Sequence, residues 1–300
     1  MKNPLHYIHK YPHRSKQILG IDGQQFLKLV QQAELKHKEQ QALREKTKIR
    51  VNLPGGGRKP KLTIPEQVCL CLFYLRQMPT FEILGMHFNV SKTEANETFH
   101  YWLKILREVL PASLLEQVEN QESDYAIVQE ILTEFKLIVD SYEQPRERPT
   151  DNKEQPEYFS GKKKRHTLKS QVISLPLAKD IVDVLVGEKG RISDIALFRN
   201  QMAKFAPAQS FQGDKAYIGG KNISTPHKKP RNRELTTAQK TENKLFSGKR
   251  IFVEHLIRLI KIFRIASERF RLHSQVYEPI ILTVCGLVRL RIGSLILPTS

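Results

Sequence analysis

Cysteine is nearly absent from this 300-residue chain. The three present, Cys69, Cys71 and Cys285, are too few and too scattered for a disulfide framework or a four-ligand zinc site, and a reducing, intracellular setting is the default expectation. Long apolar runs are missing too. The longest near the C-terminus, Pro279–Val288, has ten residues and stops at Arg289, against the roughly 18 of a membrane-spanning helix. Met1-Lys2-Asn3-Pro4-Leu5-His6-Tyr7 lacks the continuous apolar core of a secretory signal. No internal repeat or low-complexity tract occurs. Acid is scarce relative to base: 31 Asp and Glu stand against 49 Lys and Arg, a formal net charge of +18. An excess of one sign repels itself in the folded state, so stability does not explain it. A polyanionic partner does, and nucleic acid is the commonest one. The rest of the composition, 40% hydrophobic and 27% charged, excludes global disorder. At roughly 150 residues per domain the length suggests about two domains.

Residues 1–57 read as a polar helical and basic region. Gln24–Lys48 is rich in good helix formers, and the Gly/Pro-rich basic linker Val51–Lys61 breaks it. Residues 58–125 read as an all-α unit. Pro65 suits a first helical turn, and Val68, Leu70, Leu72, Leu75 and Met78 give an apolar helix. Phe81–Phe88 is a second helix and Asn89-Val90 a turn. Ser91 then caps a third helix, which places Ala95, Phe99, Trp102, Leu103 and Leu106 on one face. Helix, tight turn and capped helix make a helix-turn-helix, with Lys92, Thr93, Asn96 and His100 outward, where they would face a major groove. The same pattern also fits a three-helix packing unit that never touches DNA. The Cys69–Cys71 pair reads as core packing.

The texture changes in residues 130–270. Phe135–Asp140, Gln171–Leu175, Ile181–Val186 and Ala208–Asp214 have strand character. Asp194 reads as the cap of a helix running to Phe205, and Ile251–Ile265 as a strongly amphipathic helix. Strands followed by a helix indicate a mixed α/β domain of catalytic type. Asp140 and Asp214 end predicted strands, where α/β sheets build their sites. Glu254 is the only acid on a stripe with Arg250, Arg258 and Lys261. Three oxygen-ligand acids are what two hard Mg²⁺ ions need for phosphodiester chemistry. Yet the chain has 31 acids, strand-end aspartates often cap turns, and Glu254 equally fits surface pairs with Arg250 and Arg258. Two basic segments flank the acids: Gly161–Lys169, and residues 221–250, where nine Lys and Arg oppose two Glu for a net +7. Such runs are usually solvated; beside a carboxylate cluster they read better as phosphate contacts.

Four stretches carry a family resemblance: Val139-Asp140-Ser141-Tyr142-Glu143-Gln144-Pro145, Tyr158–Lys169, Gly213-Asp214-Lys215-Ala216-Tyr217 and Arg250-Ile251-Phe252-Val253-Glu254-His255. Together with Ser193-Asp194, Thr225-Pro226, Lys228-Lys229-Pro230 and Leu235-Thr236, they resemble the DDE transposases of bacterial insertion sequences. The group related to Harbinger-type endonucleases is the nearest in pattern. The motifs run in order from the helix-turn-helix near residue 60 to about Arg269, and the last thirty residues, 271–300, read as a helical tail without a usable family feature.

The resemblance implies a ribonuclease-H-like catalytic domain, a mixed sheet flanked by helices, preceded by the all-α helix-turn-helix domain. Asp140, Asp214 and Glu254 would be the catalytic triad and bind two divalent metal ions, Mg²⁺ or Mn²⁺. Lys162, Lys163, Lys164, Arg165, Lys169, Arg250 and Lys261 would position DNA phosphates, with Glu143 and Asp194 supporting the site from behind. His166 and His255 read as structural or phosphate-contacting groups. The expected activity is metal-dependent strand cleavage at terminal inverted repeats, followed by attack of the freed 3′-hydroxyl on target DNA. Double-stranded DNA is the expected partner, with a homodimer or larger assembly on it. No membrane partner is expected, and the setting is the cytoplasm and nucleoid of a prokaryote. Two other readings stay open: a non-catalytic DNA-binding regulator or inactive transposase relative, and a metal-dependent endonuclease without strand transfer.

Overall fold

The computed structural model describes residues 3–47 and 60–298. The expected basic linker therefore lies outside the described residues except for Pro60 and Lys61, and Lys61 pairs with Glu94 at 3.4 Å. The first long helix, Gly23–Thr47, buries only Phe26, Leu29, Val30 and Ala33, which explains its polar sequence.

The three helices of the all-α unit form where local signals place them. Ile64–Gln77 opens on a capping box between Thr63 and Glu66, with Pro65 in its first turn. It ends at Met78 in the left-handed region, φ 50°. Thr80 caps Phe81–Phe88 through the N–H of Ile83, and Asn89 closes that helix at φ 57°. Ser91 accepts from the N–H of Glu94 to start Lys92–Val109. The turn is tight enough that a Cβ on Gly85 would lie 2.6 Å from the Val90 carbonyl oxygen, so no larger residue fits without opening it. Trp102 is fully buried and donates its indole N–H to Gln67 at 2.7 Å. Cys69 and Cys71 are core residues, as expected.

Six strands build one sheet: β1 (Lys136–Pro145), β2 (Phe159–Ser160), β3 (Arg165–Ser174), β4 (Ile181–Lys189), β5 (Ser210–Gln212) and β6 (Ile223–Ser224). β4, β3 and β1 form an antiparallel meander, while β5 pairs parallel with β1 and β6 parallel with β5. This mixed sheet flanked by helices is the ribonuclease-H-like arrangement. β1 and β3 outrun their apolar runs, because pairing continues into polar residues at one end, from Lys169 to Arg165 in β3 and from Ser141 to Pro145 in β1, whereas β5 is shorter than the expected Ala208–Asp214.

Alternation along β1 sorts its side chains between two cores. Ile138 and Tyr142 face a large core shared with the helical unit, with Leu256 and Ile260, and with Ile280, Ile281 and Val284. Leu137 and Val139 face a second core with Phe198, Phe211 and Tyr217. The large core thus runs without a break from the N-terminal helices to Leu297.

The long helix Thr237–Lys261 begins well before the amphipathic stretch. A capping box of Thr236 and Gln239 starts it, and its first two turns are solvated, so apolar periodicity could not reveal them. It also stops at Lys261, before Ile265. The helix Asp194–Gln201 has Ser193, not Asp194, in the cap position, and gives way to a 3-10 turn at Met202–Lys204.

The C-terminal helix Tyr277–Ile292 is buried along most of its length. It crosses the end of Lys92–Val109 so closely that a Cβ on Gly286 would lie 2.6 Å from the Leu110 carbonyl oxygen. Nearby, the fully buried Arg289 pairs with Asp180 through two hydrogen bonds of 2.7 and 2.8 Å. It also donates to the carbonyls of Pro111 and Ser113 and to Gln117. Among the described residues no helix is long and apolar enough to cross a membrane.

Candidate active site

Strand register assembles the first two acids. The parallel pairing of β1 with β5 ends at Ile138 opposite Gln212. Asp140 and Asp214 each lie two residues beyond that pair, so chain positions with 73 residues between them leave the sheet side by side. Asp140 is not at a strand end, as the sequence suggested, because β1 runs on to Pro145 against β3. It stands instead where parallel pairing stops. Asp214 follows β5 and caps a one-turn 3-10 helix, accepting from the N–H of Ala216 at 2.7 Å.

Glu254 arrives on the long helix, whose Val253, Leu256, Ile257 and Ile260 are buried. Arg250, one turn earlier, donates to Glu254 Oε1 from Nε at 3.1 Å and from Nη2 at 2.6 Å. Burial and the neighbouring acids Asp214 and Glu254 raise the Asp140 carboxyl to about 6, against a Ser141 hydrogen bond and the Arg250 charge. The fields of Asp140, Asp214 and Glu254 together hold Arg250 above its ordinary range despite partial burial.

A cleft of about 630 Å³ contains Asp140 and Glu254, with Ala216 of the Asp214 turn on its wall. Lys162 and Lys163, on the exposed turn before β3, line it, as do Arg258 and Lys261. Lys164, at φ 53°, and Arg165 are exposed at the same turn. Lys261 lies 5.2 Å from the centre of the Tyr142 ring. Burial and Lys163 lower its pKa, while Asp140 and Glu143 oppose that shift.

Two expected phosphate contacts are engaged internally. Lys169 is buried, donates to the Ile192 carbonyl at 2.5 Å and lies 3.0 Å from Asp194. Arg250 holds Glu254. Glu143 accepts from Thr167 at 2.9 Å inside the cleft wall. In the helix-turn-helix, Lys92 and Thr93 are exposed and Asn96 is half-buried. His100 is half-buried too, packed against Phe99 and Phe81. Sequence reasoning missed Arg191, which lines the cleft just beyond β4; a glycine followed by a cation at a strand end is its only local signal.

The donor set suits a divalent cation. Among the described residues no three His, Cys, Asp or Glu side chains converge closely enough to enclose a metal, since Glu254 is turned to Arg250. The Asp140 carboxylate, however, is desolvated, flanked by two further acids, and hydrogen-bonded only to the N–H of Ser141. A partly buried acid with two further acids beside it and no cation bonded to it is the environment a hard, oxygen-seeking ion compensates.

Residues 139–289 match the family model described as DDE superfamily endonuclease, and residues 60–112 match that of the helix-turn-helix of DDE superfamily endonuclease. The chain belongs to this superfamily. Its place among the insertion-sequence transposases follows from a relative described as a probable transposase for insertion sequence element IS702, from Microchaete diplosiphon. The two are 34% identical over 219 residues, 72% of this chain and 76% of the relative. The match to residue 289 takes in most of the C-terminal helix, where sequence inspection found no family feature. A solved Mos1 transposase paired-end complex with left transposon end is 13% identical and covers 78% of this chain and 88% of that one, at a TM-score of 0.19; that score carries no argument.

Proposed function

We propose that this transposase binds the terminal inverted repeats of its own element and cleaves and joins DNA strands in the acid cleft. The observation that carries the reading is the register that sets Asp140 beside Asp214, with Glu254 close by on a cation-striped helix. Asp140, Asp214 and Glu254 would hold divalent metal, Mg²⁺ or Mn²⁺, which when bound supplies activation of the attacking oxygen and charge stabilisation at the leaving one. Lys162, Lys163, Arg258 and Lys261 hold the phosphates beside the acids. Arg250 fixes the position of Glu254 through its two hydrogen bonds. Burial of Asp140 excludes water from its flank, and Lys169 with Asp194 braces the opposite wall. Residues 58–125 supply recognition through Lys92, Thr93 and Asn96, and residues 130–270 supply the chemistry. Handling two element ends calls for a dimer or larger assembly on DNA.

Asp140→Asn removes an acid and no cation. Repeat-end DNA incubated with Mg²⁺ should show nicked and joined products with the parent protein. The variant should lose both by at least about a thousand-fold while binding DNA within a few-fold of the parent. Undiminished nicking by the variant would remove the triad assignment. Nicked but never joined products would favour the endonuclease, and tight binding by the parent without nicking would favour the regulator.

A further inference from the structure

Beside the acid cleft lies a second depression of about 670 Å³, which shares Phe159, Gly161 and Arg191 with it, so the two adjoin. Arg148 and His166 also line it, and no acid does. Phe159 stands at the junction. In β2 the neighbouring Ser160 is buried at 3% exposure, whereas Phe159 is turned out and is 42% exposed. Its cross-strand partner is His166, and the two rings meet edge to face, 5.7 Å apart at 72°. No protein ring stacks flat on it among the described residues. Arg191 and Arg148 are both exposed, and Arg148 is steadied by Gln155, which accepts from Nη2 at 2.6 Å. A Cβ on Gly161 would meet nothing within 4 Å, so the turn beside Phe159 is uncrowded.

An exposed phenyl ring between arginines, at the mouth of a cleft built for phosphodiesters, has one chemical complement: a flat base with phosphates on either side. In a duplex every base face is covered by its stacked neighbours. Only an unpaired nucleotide offers a face, and aromatic platforms in cationic grooves take such bases without regard to sequence.

We propose that Phe159, with Arg148 and Arg191, forms a stacking site for an unpaired nucleotide of the DNA strand that enters the acid cleft. The inference rests on the reading that the cleft holds DNA, but not on cleavage. Strand separation next to the scissile phosphate would then be held by the protein. A fully paired end would gain nothing from Phe159.

The test uses the full chain without divalent metal, so no cutting intervenes, and two labelled DNAs. One is a fully paired duplex; the other carries a three-nucleotide single-stranded flap with 2-aminopurine as its first unpaired base. The parent protein should quench the fluorophore and bind the flap DNA about ten-fold tighter than the duplex, the effect of one stacked base. Phe159→Ala should lose both the quench and that ten-fold, with duplex affinity unchanged, and Phe159→Trp should restore them. Because Phe159 is exposed, the alanine variant should keep the parent melting temperature. Equal weakening on both DNAs, or undiminished quenching by Phe159→Ala, would overturn the proposal. Quenching by a protein that never nicks with Mg²⁺ would leave this site standing and remove the catalytic reading.

Discussion

In the helix-turn-helix, residues that act together are neighbours in the chain. Each helix of residues 64–109 starts on a cap three residues from its partner N–H, and its buried face repeats at helical spacing. Its centre is mostly apolar, and the indole of Trp102 there is hydrogen-bonded to Gln67. The acid cleft reverses each of these features. Its residues come from β1, from beyond β5 and from the long helix, and they bring like charges together under partial burial. Stability accumulates in the first region, while the second stores electrostatic cost that DNA and metal would relieve.

The C-terminal helix ties these regions together, and removing the tie should have the largest effect. Arg289→Ala strips a buried ion pair and leaves Asp180 facing Arg289's former site. It should cost about 3–5 kcal/mol in denaturant unfolding and destabilise both regions in one transition. A cost under about 1 kcal/mol would show that the helical unit and the sheet hold independently.

Next in size is a gain, confined to the cleft. Asp140 has its pKa raised from 3.8 to about 6, so the folded chain binds that proton more tightly than the unfolded one. The fold is favoured by the proton below about pH 4, and that advantage is lost as pH rises through 6. Asp140→Asn, which on the proposed reading inactivates the site, should therefore stabilise the metal-free protein by up to about 3 kcal/mol above pH 7 and by little near pH 4. Thermal melts across that range check it; a variant less stable than the parent at pH 8 would contradict the stored cost.

The smallest effect belongs to the helical unit. Ser91→Ala removes the hydroxyl that accepts from the N–H of Glu94 at 3.1 Å and should cost about 1 kcal/mol. It should weaken DNA binding and leave the nicking rate of bound complexes unchanged. A fall in that rate would mean the cleft depends on the integrity of the recognition helix.

Much of this was legible in advance. The three helices of residues 64–109, the cap at Ser91 and the turn at Asn89 were readable from residue type and spacing, whereas Asp140, Asp214 and Glu254 were candidates that only the family resemblance singled out. Other features were not. Lys169 reads as one more cation in a basic run, yet a bulge in its ladder and the partner Asp194 bury it. Arg289 reads as the polar end of an apolar run, yet it is fully buried against Asp180, 109 residues away. Phe159 and Arg191 carry no periodic signal at all.

The sequence by itself determined the helical unit and the excess charge that calls for a polyanion, and it offered Asp140, Asp214 and Glu254 as candidates. Caps, turns and helical faces depend on residues within about four positions of each other, so they can be read along a line. Only the tertiary structure decided that Asp140 stands beside Asp214, which cations remain free to meet phosphate, and how the C-terminal helix locks the two regions together. Those outcomes rest on the pairing of Ile138 with Gln212 and on charges that burial forces to find distant partners, and no local pattern encodes either.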